Sequence, residues 1–157
     1  MERIIALGQI VYNSECVAKR MKREPKMPVK VERLPGEAIV IATCSGLLDV
    51  PTLHEMFAQT ATLMNEDDSL MYRIADYYGV TSSFADLLAN AQEASRDGAP
   101  ASTTDPRIRP MFVGSEEWQA QARAAFGKNP FRSVPIPIFG SVDDAIVYAR
   151  QELAKED

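Results

Sequence analysis

The single histidine and two cysteines of this chain are its most obvious candidates for nucleophilic or acid–base chemistry. A Ser-His-Asp or Cys-His arrangement would have to use His54, which lies in a predicted helix beside the apolar Leu53. Cys44 ends an apolar run and has no evident base nearby, which is typical of a cysteine buried in the core. Cys16 lies far upstream. We therefore predict no catalytic residue, and an enzyme that uses Cys44 or His54 is the least favoured class of function.

Paired carboxylates occur at Asp67-Asp68 and Asp143-Asp144, with no histidine or cysteine at metal-ligand spacing. A hard cation needs several converging oxygens, so we predict no metal site. The junctions Gly114-Ser115 and Gly140-Ser141 belong to a type of helix start that can hold phosphate. Acidic residues follow both junctions, however, and neither matches a Walker or dinucleotide fingerprint. We expect helix caps at these positions and no cofactor.

A run of hydroxyl residues, Thr81-Ser82-Ser83, lies before a predicted helix. A phosphate on such a turn would meet the positive end of the helix dipole and free backbone N–H groups. The alternative is that Ser82 or Thr81 only caps the helix. Tyr77 and Tyr78 end the preceding strand and could flank a binding groove.

Arg107 and Arg109 lie on the two sides of Ile108, directly after a polar loop over residues 96–106. Two arginines at this position could bind a carboxylate or phosphate group. Alternatively, they only solvate the start of a strand. The loop is long for an α/β unit, and its composition predicts a flexible or functional segment.

The elements that must position these residues alternate between strand and helix from residue 29 onwards. Apolar runs and alternation predict strands over 29–34, 38–44, 70–77, 108–113 and 134–139. Capping residues and apolar residues spaced three or four apart predict helices that begin near Asp49, Thr81 or Ser82, Ser115 and Ser141. The turn Pro35-Gly36-Glu37 predicts a hairpin between the first two strands. Strands separated by helices require crossover connections and hence parallel pairing. Pro135 and Pro137 predict an edge position for the last strand.

Composition indicates a globular protein with a core, because 46% of the 157 residues are apolar and 25% are charged. The formal net charge of −5 argues against a nucleic-acid partner. Residues 1–26 hold six basic and three acidic residues, a net +3 that leaves −8 for the rest. We predict an N-terminal extension over 1–26, partly helical, and one α/β domain over 27–157.

The basic extension could dock in cis, join two protomers or touch an anionic surface, or it could simply be a solvated helix. No apolar run approaches the roughly 18 residues that a membrane-spanning helix needs. Two cysteines are too few for a disulfide framework and fit a reducing compartment. We expect a cytoplasmic protein without a membrane span.

The order β-β-α-β-α-β-α-β-α resembles the STAS superfamily, the fold of anti-sigma-factor antagonists and of transporter regulatory tails. The segments 106–113 (PRIRPMFV) and 140–145 (GSVDDA) add to this likeness. The chain looks closest to the bacterial STAS-like, Sec14-like domains of unassigned function, over about residues 27–155. The resemblance implies a mixed sheet of about five strands with four helices. A doubly wound flavodoxin-like order is the rival, but it lacks the opening hairpin.

STAS antagonists carry a phosphorylatable serine between the third strand and the second helix, typically as Asp-Ser-Ser-Gly. Here the turn reads Thr81-Ser82-Ser83-Phe84, with threonine in place of the acid and phenylalanine in place of the glycine. The resemblance implies a non-enzymatic regulatory domain that binds a protein partner or itself, as a homodimer. The alternative is a carrier of a small apolar ligand or lipid, to which the seven methionines would adapt.

Overall fold

The computed structural model describes residues 28–96, 98–126 and 136–156, and the predicted extension over 1–26 lies outside these ranges. The described ranges contain five strands and four helices. In chain order they are β1 (Val29–Arg33), β2 (Ile39–Gly46), α1 (Val50–Leu63), β3 (Met71–Val80), α2 (Phe84–Ala94), β4 (Ile108–Val113), α3 (Glu116–Phe126), β5 (Ile138–Phe139) and α4 (Val142–Lys155). None of the helices in these ranges combines the length and the apolar character needed to cross a membrane.

The described strands form one mixed sheet in the order β1-β2-β3-β4-β5. β1 and β2 pair antiparallel with Val29 opposite Cys44, which confirms the predicted hairpin. The other neighbours pair parallel, as the crossover argument requires. β5 lies at the edge, as predicted, but within the described residues it covers only Ile138–Phe139 instead of 134–139. Pro137 still contributes its carbonyl, which accepts from the Phe112 N–H at 3.0 Å.

Two apolar layers cover the sheet and divide the side chains of β3 between them. Met71, Ala75 and Tyr77 pack in the layer that includes α1 and α2, whereas Tyr72 and Ile74 pack against α4. Because successive strand residues point to opposite faces, neighbours on β3 cannot share a face. The buried side chains of α1 are Leu53, Met56, Phe57 and Thr60. Full burial of the Leu53, Met56 or Phe57 side chain contributes about 1.5–3 kcal/mol each.

A buried arginine holds the loop between α2 and β4. Arg73 is only 2% exposed. Its guanidinium donates to the Ala101 carbonyl at 2.5 Å, and to the hydroxyls of Thr103 at 3.3 Å and Thr60 at 3.5 Å. Its Cζ lies 5.3 Å from the centre of the Phe57 ring. Burial lowers the pKa of Arg73 to about 10, so it stays charged at neutral pH. The described part of this loop is therefore tied to the core, although its composition predicts flexibility.

Candidate partner-binding site

Parallel strands β2 and β3 end at the same edge of the sheet, and this places the serine turn beside the loop between β2 and α1. The Thr81 N–H donates to the Gly46 carbonyl at 3.0 Å. The Leu48 N–H donates to the Ser82 hydroxyl oxygen at 3.0 Å, and the Asn90 amide donates to the Leu48 carbonyl at 2.8 Å. The first two bonds join the serine turn to the end of β2 and its loop, and the third joins the same loop to α2.

Ser83, and not Thr81 or Ser82, caps helix α2. Its hydroxyl oxygen accepts from the Asp86 N–H at 3.1 Å, and its backbone is extended as a cap requires. The prediction of a cap at Thr81 or Ser82 is wrong because β3 continues to Val80, which moves the start of the helix one residue along. Ser82 directs its hydroxyl to the neighbouring loop instead.

Leu47 is the most exposed large apolar side chain among the described residues, at 75%. Gly46 immediately before it has a φ of 72°, a left-handed conformation that favours glycine. This turn directs Leu47 outward while the next residue, Leu48, is buried. The two adjacent leucines are indistinguishable by type, so sequence reasoning missed Leu47. Only the glycine before it hints at the turn.

Leu47, Thr81, Ser82 and Ser83 form what we call the serine-turn surface. Thr81 and Ser83 are exposed and Ser82 is half-buried. Two exposed carboxylates, Asp49 at the start of α1 and Asp86 in the first turn of α2, adjoin this surface in the chain. Hydrogen bonds from Thr52 lower the pKa of Asp49, which keeps it ionised. The surface thus combines an apolar tip, three hydroxyls and nearby negative charge.

Tyr77 and Tyr78 do not flank one groove, because they lie on opposite faces of the sheet. Tyr77 is buried, with its ring 5.4 Å from Phe112 and 5.2 Å from Trp118, and burial raises the pKa of its phenol. Tyr78 is exposed and its hydroxyl donates to the Gly140 carbonyl at 2.5 Å. The prediction of a shared groove is therefore wrong for this pair.

The predicted anion-binding arginines have partners of their own. Arg107 forms an ion pair with Asp105 at 2.8 Å, and Arg109 donates to the Pro106 carbonyl at 3.0 Å. The hydrogen bond from Arg107 lowers the pKa of Asp105 to about 2 and raises the pKa of Arg107. Asp105 also accepts from the Ala101 N–H at 2.8 Å. In this structure Arg107 stabilises the loop, and its charge is balanced locally.

The candidate nucleophile Cys44 is 1% exposed, and burial raises the pKa of its thiol to about 12. A thiol that stays protonated is a poor nucleophile. The Nε2 atom of His54 lies 3.0 Å from the Ala94 carbonyl oxygen, so the imidazole links α1 to the end of α2. Within the described ranges, no group of three or more His, Cys, Asp or Glu side chains could hold a metal ion.

No protein-family model matches the sequence, and no curated protein matches it significantly. A solved structure that does match is an uncharacterised protein with a SpoIIAA-like fold from Shewanella loihica. It has a TM-score of 0.51 at 14% identity, and the match covers 77% of this chain and 91% of that chain. The chain has a SpoIIAA-like fold.

An anti-sigma factor antagonist from Mycobacterium paratuberculosis also matches. Its TM-score is 0.47 at 17% identity, over 78% of this chain and 92% of that chain. The SpoIIAA-like fold confirms the predicted STAS-like architecture, including the opening hairpin. Identities this low concern the fold, and residue roles have to be argued from this chain's own geometry.

Proposed function

We propose that this chain is a non-enzymatic regulatory domain that binds a protein partner through the serine-turn surface. The observation that carries the proposal is the exposed Leu47, held on a loop that Ser82 ties to the turn. A partner that covers this leucine gains about 1.5–3 kcal/mol of apolar burial. The three hydrogen bonds keep the loop ordered before binding, which reduces the entropic cost of association.

Phosphorylation of Ser82 would control this surface, because its hydroxyl oxygen accepts the bond that fixes the Leu47 loop. A phosphate adds about two negative charges and three oxygens to a side chain that is half-buried. It would also add to the negative charge that Asp49 and Asp86 already bring to the two helix starts. We infer that the unmodified domain binds its partner and that the modified domain releases it.

A pull-down with Ser→Asp variants tests this proposal, with the bound proteins quantified by mass spectrometry. Ser82→Asp should lose a partner that the wild type retains, and Ser83→Asp should weaken it because aspartate keeps the cap but adds charge. Ser141→Asp is the matched control, since Ser141 caps α4 in the same way. If all three variants retain the same proteins as the wild type, the proposal is wrong.

Self-association as a homodimer belongs to the same class of function, and a ligand carrier is the competing class. The aromatic cleft lined by Tyr77, Phe84, Phe112 and Trp118 has no room for an apolar ligand, because its volume of about 10 Å³ admits roughly one water molecule. A native mass spectrum separates the two classes. A symmetric dimer without ligand supports the interaction domain, whereas a co-purifying apolar molecule supports the carrier.

A further inference from the structure

A glutamine side chain of helix α1 occupies the outer edge of strand β1. β1 comes first in the order of the described strands, so its outward backbone groups face away from β2. The Val31 N–H donates to Gln59 Oε1 at 2.9 Å, and Gln59 Nε2 donates to the Val29 carbonyl at 3.3 Å. The fixed donor and acceptor roles of the backbone set the orientation of this amide.

The Gln59 amide makes the two bonds that one residue of a parallel strand would make. In a parallel pair, each such residue lies opposite one residue of the neighbouring strand. It donates to the carbonyl of the residue before that one and accepts from the N–H of the residue after it. Gln59 does so on the two sides of Lys30. Glu55 accepts a second bond from Gln59 Nε2 at 3.0 Å and fixes the side chain in place.

Helix α1 also contacts the C-terminal end of β1, at Arg33. The Arg33 guanidinium donates to the Leu63 carbonyl at 2.7 Å and pairs with Asp68 at 2.7 Å. Glu55, Gln59 and Leu63 are four residues apart, so they lie along one ridge of α1. This ridge follows the edge of β1.

The edge of β1 that Gln59 occupies is complementary in charge to the same edge of a second copy of the chain. A two-fold antiparallel pair centred on Val31 would place Lys30 opposite Glu32 of the other copy, and Glu32 opposite its Lys30. Both side chains are exposed, and they form a 3.4 Å ion pair within the strand. The centre of such a pair needs the Val31 N–H, which is the donor that Gln59 now holds.

We propose that Gln59 keeps the β1 edge closed, and that this edge is a latent self-association surface for a second copy of the chain. Removing the amide leaves the Val31 N–H and the Val29 carbonyl without their partner among the described residues, and strand addition would satisfy both groups. Two-fold pairing then closes the edge again, so it ends at a dimer rather than a filament.

Sedimentation of the full chain over a wide concentration range tests this proposal. Gln59→Ala should dimerise with a dissociation constant at least about tenfold lower than any self-association of the wild type. Hydrogen exchange at the Val31 amide should be faster than in the wild type when the variant is dilute, and slow again when it is concentrated. Gln92→Ala, at an exposed glutamine of α2, is the matched control and should behave like the wild type.

Adding Lys30→Glu to Gln59→Ala should abolish the dimer, because it puts like charges opposite each other across the two-fold axis. If Gln59→Ala does not fold, Gln59→Met provides the same test, since it keeps the volume and lacks the amide. The proposal is overturned if the folded variant sediments like the wild type, or if Lys30→Glu leaves its dimer unchanged.

Discussion

Ser82 and Ser83 are one residue apart, yet their hydroxyls stabilise different parts of the fold. Ser83 caps α2, whereas the Ser82 hydroxyl oxygen accepts from the Leu48 N–H in the loop between β2 and α1. Sequence reasoning located the turn but not the cap, because all three hydroxyl residues of Thr81-Ser82-Ser83 are acceptable caps. The residue at which β3 ends determines which of the three hydroxyls caps the helix, and the pairing with β2 determines where β3 ends.

Replacing Ser83 by alanine should lower the free energy of unfolding by about 1 kcal/mol, since the α2 cap is lost. Thr81→Ala should change it by less than about 0.5 kcal/mol, because only its backbone bonds to Gly46. Urea unfolding of both variants checks the order of these effects. A larger loss for Thr81→Ala would show that Ser83 is not the cap.

Arg73→Met should destabilise the domain by about 2–4 kcal/mol, because the buried Ala101 carbonyl would lose its donor. The loop that it holds also contains Ala101 at a φ of 62°, a strained conformation for a residue with a Cβ. Arg109→Met is the control, since Arg109 is exposed and should cost less than about 0.5 kcal/mol. Equal unfolding midpoints for the two variants would contradict the role given to Arg73.

At the scale of elements, the hairpin, the parallel crossovers and the edge position of β5 were predictable from local patterns. Alternation at period two, a Pro-Gly turn and the prolines of the predicted segment 134–139 carry that information in consecutive residues. The fixed conformation of the loop between α2 and β4 was not predictable. It depends on Arg73 of β3, which lies 28 residues before its bonded partner Ala101.

The ion pair between Arg107 and Asp105, in the loop between α2 and β4, should make the free energy of unfolding depend on pH under acidic conditions. The folded pKa of Asp105 is about 2, below the value of roughly 3.9 in unfolded chains. Its contribution of up to about 2 kcal/mol is complete above the unfolded pKa, and is lost as the pH falls through 4 towards 2. Chemical denaturation at pH 5 and pH 2 measures this loss.

Asp105→Asn should be less stable than the wild type at pH 5, and the difference should shrink at pH 2. Arg107→Gln should reduce the same pH dependence, because the bond from Arg107 is the largest cause of the lowered pKa. A difference between Asp105→Asn and the wild type that stays constant between the two pH values would rule out this contribution.

On the part of the molecule that the structure describes, we propose two distinct places for contact with other chains. The serine-turn surface lies where β2 and β3 end, and the β1 edge lies under Gln59. The first is open and carries an exposed leucine, whereas the second is closed by a side chain. The serines of the first could be singled out from the sequence, and their role in binding stays a prediction. Neither Leu47 nor Gln59 could be identified, because exposure and edge pairing arise only when distant segments meet.

The proposed contact between a protein partner and Leu47 is tested by the dissociation constant of the captured partner. Leu47→Ala should weaken binding at least about tenfold, as truncation of a central apolar contact does. Val147→Ala removes another exposed apolar side chain, on α4, and should change binding less than about twofold. Wild-type affinity for Leu47→Ala, or an equal loss for Val147→Ala, would contradict the claim.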